Sequence, residues 1–324
     1  MRLAYIACIE NGYLEGQTLL LCRSIRKFAG RYADAPIYTF QARHGTEIKQ
    51  DTLEALAELA VDHSSILLNP EYHANAYANK VFVSAYAEEQ LEEDILVFLD
   101  SDTVFVGEPL AFALPSGIDA AACSADSKHL SSTGEGDPRD ELWQRIYRLY
   151  SLTNEPRVVT PTGVRTRAFF SGGLVVVRRS AGIFRAWQTQ LLAMLDSGVI
   201  PEHMRGRSDE ISLTTVLVSR FDRVKLLDGR YNYLVYRRAA LLRPFDRAKL
   251  EELVHLHYRF WFNIPGFLSV LQPPLGSDSG ILRWLQNYLP LLPERKLPVA
   301  PNDADPWDFF KLNAVKAPVL QSRQ

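Results

Sequence analysis

Apolar positions along the chain follow two rhythms. Residues 2–9 (RLAYIACI), 35–40 (APIYTF) and 95–99 (ILVFL) are short apolar runs, the pattern of strands buried on both faces of a parallel sheet. Between them, QTLLLCRSIRKFAG spaces Leu20, Ile25 and Phe28 as on a helix and closes at Gly30. TEIKQDTLEALAELA, with acidic residues early in it, predicts a second helix, and ANKVFVSAYAEEQL a third that leads into 95–99. ENGYLEG reads as a loop and SSILLNP as a third short strand. Strand and helix in alternation predict a doubly wound α/β sheet. Ligands of such sheets bind beyond the carboxyl ends of the strands. The loop at 10–13 and the pair Asp100 and Asp102 fall at such ends.

The middle is less regular. Residues 124–140 are polar and read as a surface loop, followed by a helix in DELWQRIYRLYSL. RAFFSGGLVVVRRS sets Gly-Gly before a strand, and AGIFRAWQTQLLAMLDSG is an amphipathic helix ending at Gly198. SDEISLTTVLVSRF predicts a helix with Ser208 as N-cap and two carboxylates in its first turn. LVHLHYRFWF predicts a strand. From about 290 the chain turns Pro-rich (LPLLPERKLPVAPNDADP), with a short aromatic patch WDFFKL. The expected organisation is one domain over 1–289 and a loosely structured arm over 290–324, without internal repeats.

Composition narrows the partners. Among 324 residues, 47% are hydrophobic and 23% charged, ordinary values for a globular chain with a sizeable core. A formal net charge of -2 gives no basic surface of the kind nucleic acid requires. Cys8, Cys22 and Cys123 are odd in number and far apart, neither a disulfide framework nor a zinc pattern; reduced thiols in a cytoplasmic protein are expected. The N-terminus lacks a basic region and a small-residue cleavage site, so it reads as a strand rather than a signal peptide. No apolar stretch reaches the roughly 18 residues that span a bilayer, which leaves peripheral membrane contact open.

Asp100 and Asp102 are the first candidates for chemistry. Two carboxylates so close repel each other unless a cation or a shared proton lies between them. Hard oxygen ligands at a strand end suit Mg²⁺ or Mn²⁺ shared with substrate phosphates; the plainer reading is a turn, which Asp also favours. His255 and His257 fall on one face of their strand by its period of two, and an imidazole can complete an Asp-Asp-His set around Mn²⁺; hydrogen-bonded strand histidines are the alternative. Lys80, near a helix start, is either a phosphate clamp or a solvated lysine. Asp209 and Glu210 either suit the dipole of their helix or meet a sugar.

Together these stretches resemble GT-A-fold glycosyltransferases, in particular the retaining group of glycogenin and the bacterial lipopolysaccharide galactosyl- and glucosyltransferases. NGYLEGQTLLLCRSIRKF is similar to that family's opening loop and helix, and NKVFVSAYAEEQLEEDILVFLDSDTVFVGEP to its segment running from a diphosphate-binding lysine to a metal-binding D-x-D. FFSGGLVVVRRSAGIFRAW, SDEISLTTVL and LVHLHY resemble its donor-sugar segment, its D-Q-x-x-L helix and its strand bearing a third metal ligand. The resemblance implies a GT-A fold with a Rossmann-like, mostly parallel sheet. It implies donor binding by Tyr13 (at the nucleobase), Lys80, Asp100, Ser101, Ser171 and Gly172, and metal binding by Asp100, Asp102 and His255, with His257 the alternative. Asp209 and Glu210 take the catalytic positions near the sugar. The expected reaction is Mn²⁺- or Mg²⁺-dependent transfer of a sugar from a nucleoside diphosphate, UDP, with retention, to a glycan, lipid or protein acceptor. Phe170 stands where the family usually has asparagine, Glu210 where it has glutamine, and RFWFNIPG replaces G-x-x-K-P-W.

Two other readings compete. FLDSDTV also fits a phosphatase of the haloacid dehalogenase type, with Asp100 as nucleophile and Asp102 as general acid, although there the motif opens the domain. A non-catalytic sugar-nucleotide-binding protein on the same fold is the other.

Overall fold

A computed structural model describes residues 1–240, 244–268 and 279–292. The predicted WDFFKL patch and nearly all of the Pro-rich arm lie outside these residues. The apolar run at the start forms β1 (Leu3–Cys8), buried almost throughout. α1 (Tyr13–Phe28) begins four residues before the predicted helix. Gly12 lies at φ 83°, open to glycine without steric cost, and Glu15 Oε1 accepts its N–H at 2.9 Å. That local cap turns the expected loop ENGYLEG into the first helical turn.

β2 (Ile37–Gln41) and α2 (Gln50–Glu58) follow as expected. β3 (Val61–Ser65) comes earlier than the predicted SSILLNP and is largely polar. It is the edge strand of its sheet, so only one flank is paired and an apolar sequence is not required. α3 (Ala78–Gln90) leads into β4 (Ile95–Leu99), whose five residues are all buried. Then come β5 (Thr103–Phe105), β6 (Ala120–Ser124), α4 (Asp140–Leu149), β7 (Arg157–Val159), β8 (Arg165–Arg167) and β9 (Phe170–Arg178). α5 (Ile183–Ser197), α6 (Ser208–Val218), β10 (Val224–Leu227), β11 (Tyr233–Leu234), β12 (His255–His257) and α7 (Gly280–Gln286) complete the described elements. The strand expected across LVHLHYRFWF is thus only three residues long.

Two compact units share these elements. The first takes Met1–Asn11, Asp34–Ser101 and Leu110–Asp228. Its seven-stranded sheet runs β10-β6-β9-β4-β1-β2-β3, parallel except where β9 pairs antiparallel with β4 and β6. This is the mostly parallel, helix-flanked sheet of the GT-A fold. One apolar cluster fills it, with Phe98, Trp143, Phe170 and Trp187 among its largest members. The register of β9 has a break that matters below. Ala122 faces Val175 but Ser124 faces Phe170, so residues 171–174 stand opposite Cys123 alone. Such a bulge frees backbone from the ladder and is frequent beside active sites.

The second unit takes Gly12–Ala33, Asp102–Pro109 and the described residues from Gly229 on. Its sheet, β11-β12-β5, has β12 parallel to β11 and antiparallel to β5. A separate core closes it, in which Leu20 of α1 joins Val104, Leu256 and Tyr258. The Phe105 N–H donates to Ser24 Oγ of α1 at 2.9 Å.

Candidate active site

In the first unit three charged side chains meet beyond the carboxyl end of β4. Asp100 follows the strand directly, and its N–H donates to the Gly173 carbonyl at 3.0 Å. Lys80, in the first turn of α3, reaches Asp100 Oδ1 at 2.8 Å and Asp209 Oδ2 at 3.3 Å. Burial alone would lower the Lys80 pKa, but Asp100 and Asp209 raise it well above the ordinary lysine range, so it stays an ammonium. The solvated-lysine reading of Lys80 is therefore excluded: only 10% of its side chain is accessible. A second network holds its neighbour. Asn79 donates to Glu10 Oε1 at 2.8 Å and accepts from Asn69 at 2.8 Å, while Arg43 clamps both oxygens of Glu10.

Asp209 and Glu210 open α6. Ser208 does not cap the helix, contrary to expectation: it is the first helical residue and its hydroxyl donates to the Arg205 carbonyl at 2.8 Å. The reason is the 3₁₀ turn Glu202–Arg207 running straight into α6, which leaves no extended residue to act as a cap. Trp187 Nε1 donates to the Asp209 carbonyl at 2.8 Å and so fixes the first turn. The two adjacent carboxylates titrate apart. Burial raises Asp209 to about 6 against the pull of Lys80. Glu210 is also opposed by burial, yet His129, Arg207 and Lys80 draw it down to about 2. His129 Nε2 lies 3.7 Å and Arg207 3.8 Å from Glu210 Oε2, distances of ion pairs rather than hydrogen bonds. Asp209 Oδ1 and Glu210 Oε2 are both buried without a hydrogen-bond partner.

Gly172 lies against this centre. A Cβ there would sit 3.6 Å from Lys80 Nζ, 3.6 Å from Glu210 Cγ and 3.7 Å from Asp209 Oδ2, so glycine leaves open the space above all three. Ser171 beside it is half-buried. Phe170 turns inward: it is fully buried, its ring packs on Phe221 and its N–H donates to Thr214 Oγ1 at 3.1 Å. The side chain that replaces the family's asparagine is a core residue here. Tyr77, exposed, carries Lys80 Nζ and the Arg207 guanidinium 5.9 Å from its ring centroid.

In the second unit, Asp102 precedes β5, and the pairing of His257 with Thr103 sets it beside β12. Asp102 Oδ1 lies 3.2 Å from His257 Nε2, and His257 Nδ1 meets Asn232 Oδ1 at 2.9 Å. The two ring nitrogens of His257 are thus bracketed, one by the Asn232 amide and one by the Asp102 carboxylate. A carboxylate, an imidazole and an orienting amide on its other nitrogen suit a divalent metal.

His255 is held differently. It is fully buried, neither ring nitrogen has a hydrogen-bond partner, and its ring lies 4.8 Å from that of Phe105. Burial, then His257, lowers its pKa well below the ordinary value, so it is a neutral imidazole. Tyr13 opens α1 with an exposed ring. Ser101, between the two aspartates, is half-buried.

Sequence reasoning did not find His129, Arg207 or Asn232. Arg207 stands three residues before Glu210, a helical pairing distance, and could have been found; His129 and Asn232 approach only through the fold. No helix among the described residues is long and apolar enough to cross a membrane. All three cysteines are free thiols.

Residues 5–221 match the Rhodobacterales glycosyltransferase domain. The chain belongs to that glycosyltransferase family. The match contains Tyr13, Lys80, both aspartates of the D-x-D, Ser171, Gly172, Asp209 and Glu210, while His255 and His257 lie beyond it. It decides for glycosyl transfer over the phosphatase reading. No curated protein matches in sequence. Among solved structures, the glycosyltransferase GlyE of Streptococcus pneumoniae TIGR4 superposes with a TM-score of 0.52 at 14% identity, over 98% of this chain and 64% of GlyE. That likeness concerns the fold. The bifunctional glycosyltransferase WbbM gives 0.49 at 12% identity, over 89% of this chain and 52% of WbbM. The chain thus spans less than two thirds of either neighbour.

Proposed function

We propose that this glycosyltransferase moves a sugar from a UDP-linked donor to an acceptor with the help of a divalent cation, Mn²⁺ or Mg²⁺, and with retention of anomeric configuration. One observation carries the reading: Lys80 is ion-paired to both Asp100 and Asp209, linking the strand-end aspartate to the aspartate at the sugar position. Asp102 and His257 are the first candidates for metal ligands. Asp100 stands two residues away along the chain, within about 7 Å of backbone. Of the two histidines, His257 rather than His255 supplies the imidazole in this reading, because a ring nitrogen of His257 lies beside the Asp102 carboxylate while His255 is enclosed.

A bound cation would neutralise the diphosphate as it leaves. Lys80 holds a fixed positive charge beside the same aspartate and favours the departing phosphate oxygens. Asp209, ionised at neutral pH, lies where positive charge develops on the sugar ring, over the opening that Gly172 leaves. Tyr13 stacks on the nucleobase, and Ser101 and Ser171 line the donor. Retention follows from the resemblance alone.

The test is a thermal-shift series with UDP and UDP-sugars, with and without Mn²⁺, followed by turnover of the best donor. The expected outcome is Mn²⁺-dependent stabilisation by UDP, a rise that follows mass action. Asp102→Ala should lose that dependence and about 100-fold or more in turnover, the scale of removing one preorganised electrostatic contact. Full turnover in Asp102→Ala would sink the metal assignment. Tight UDP binding without turnover across donors and acceptors would favour the non-catalytic reading.

A further inference from the structure

The geometry points to His129 and Arg207 as specificity-determining residues that hold Glu210 as an acceptor-only carboxylate, selecting donors with a neutral, hydroxyl-bearing sugar and rejecting uronic acids. This rests on the reading of Asp209 and Glu210 as the sugar end of the donor site. The first observation is a shortage of donors. Three carboxylates gather here: Asp100 and Asp209 pair with Lys80, and Glu210 lies 3.8 Å from Arg207. Asp209 Oδ1 and Glu210 Oε2, both buried, are left with no hydrogen-bond partner. Buried carboxylate oxygens without a donor are costly, and sugar hydroxyls supply donors. A sugar carboxylate supplies none and adds a fourth negative charge.

The second observation is the construction around His129. It is a non-glycine residue at φ 44°, a strained backbone that persists only where its surroundings fix it. Lys128 pairs with Asp137 at 2.5 Å, Arg139 donates to the His129 carbonyl, and Trp143 Nε1 donates to the Leu130 carbonyl at 2.9 Å. The loop is thus pinned on both sides of one histidine. The imidazole packs 6.0 Å from Phe169 and lies 3.7 Å from Glu210. Glutamine in place of Glu210 would carry an N–H donor and no charge. The carboxylate therefore sets the preference, and His129 and Arg207 beside it keep it aimed.

Binding is measured with UDP, UDP-glucose, UDP-galactose and UDP-glucuronate, all with Mn²⁺, on the full chain. Wild type should bind at least one UDP-hexose about 10-fold or more tightly than UDP-glucuronate. Glu210→Gln should erase that ratio by admitting the uronic acid. His129→Asn, which tolerates the left-handed backbone, should weaken the hexose several-fold while leaving UDP affinity unchanged; melting without ligand checks that each variant is folded. Equal wild-type affinity for hexose and glucuronate, or an unchanged ratio in Glu210→Gln, would overturn the inference while Mn²⁺-dependent UDP binding upheld the donor reading. Absence of UDP binding itself would overturn both.

Discussion

Two clusters of polar side chains, one in each unit, solve the same electrostatic problem in opposite ways. In the first, Lys80 stands between Asp100 and Asp209, and the protein supplies its own counter-charge. In the second, His257 sets one ring nitrogen 3.2 Å from Asp102 while Asn232 holds the other. One cluster is built around a lysine ammonium; the other joins a carboxylate to an imidazole, donors that suit a divalent metal. A carboxylate in a D-x-D is therefore not one kind of group. Asp100 pairs with a lysine, whereas Asp102 stands beside an imidazole.

The largest expected effect breaks the lysine-centred cluster. Lys80→Met removes the charge but keeps the volume, leaving Asp209 buried beside Asp100 without a partner. Losing one member of a buried pair costs about 3–5 kcal/mol, read as a lower urea midpoint. A change below about 1 kcal/mol would show that the network is solvated in solution.

The next effect is a pH dependence of the same cluster, measured by urea unfolding in chelator so that no metal intervenes. Folding raises Asp209 from 3.8 to about 6, so between these values the native state holds a proton that the unfolded chain has released. Its contribution is present below pH 4 and is lost as pH rises to 6, on the order of 3 kcal/mol at most. Glu210 works with the opposite sign: its lowered pKa adds stability above about pH 4.5 that is lost as pH falls. Asp209→Asn should flatten the loss between pH 4 and 6, and Glu210→Gln should alter only the more acidic limb. An identical slope in Asp209→Asn and wild type would refute this assignment.

The smallest effect sharpens the carboxylate–imidazole cluster. Asn232 sits at φ 49°, so Asn232→Gly keeps the backbone and removes only the amide that orients His257. Loss of such a support typically costs 10–100-fold in metal affinity, which Mn²⁺ titration would detect with little change in unfolding. If metal affinity were unmoved, His257 would not be a ligand oriented by Asn232.

How much of this was legible in advance differs from residue to residue. β1, β2, β4, α3 and α5 were readable because each is buried on a whole face or on both, so its period survives in the sequence. β3 was misplaced in the reading because an edge strand can be polar, and the start of α1 was read four residues late because its cap is a glycine–glutamate exchange rather than a Ser or Asp signal. Asp100 and Asp102 stood out as two close carboxylates at a strand end, Lys80 and Asp209 by their places in helix first turns, and the resemblance to glycosyltransferases then gave each an expected role. The preference for His255 over His257 rested on resemblance too, and period two gave it no support since both histidines share a face. Their environments separate them: Phe105 encloses one, and Asn232 and Asp102 bracket the other.

The sequence by itself determined the alternating α/β plan, the strand that ends at Asp100 and the order of the glycosyltransferase segments, since each is written in local period or in motif. Only the tertiary structure decided which charges are partners. Glu210 draws on His129 from 81 positions away, and Asp102 on His257 from 155 positions away. Pairing over such separations is set by strand register, by the bulge in β9 and by a pinned loop, none of which leaves a spacing along the chain to read.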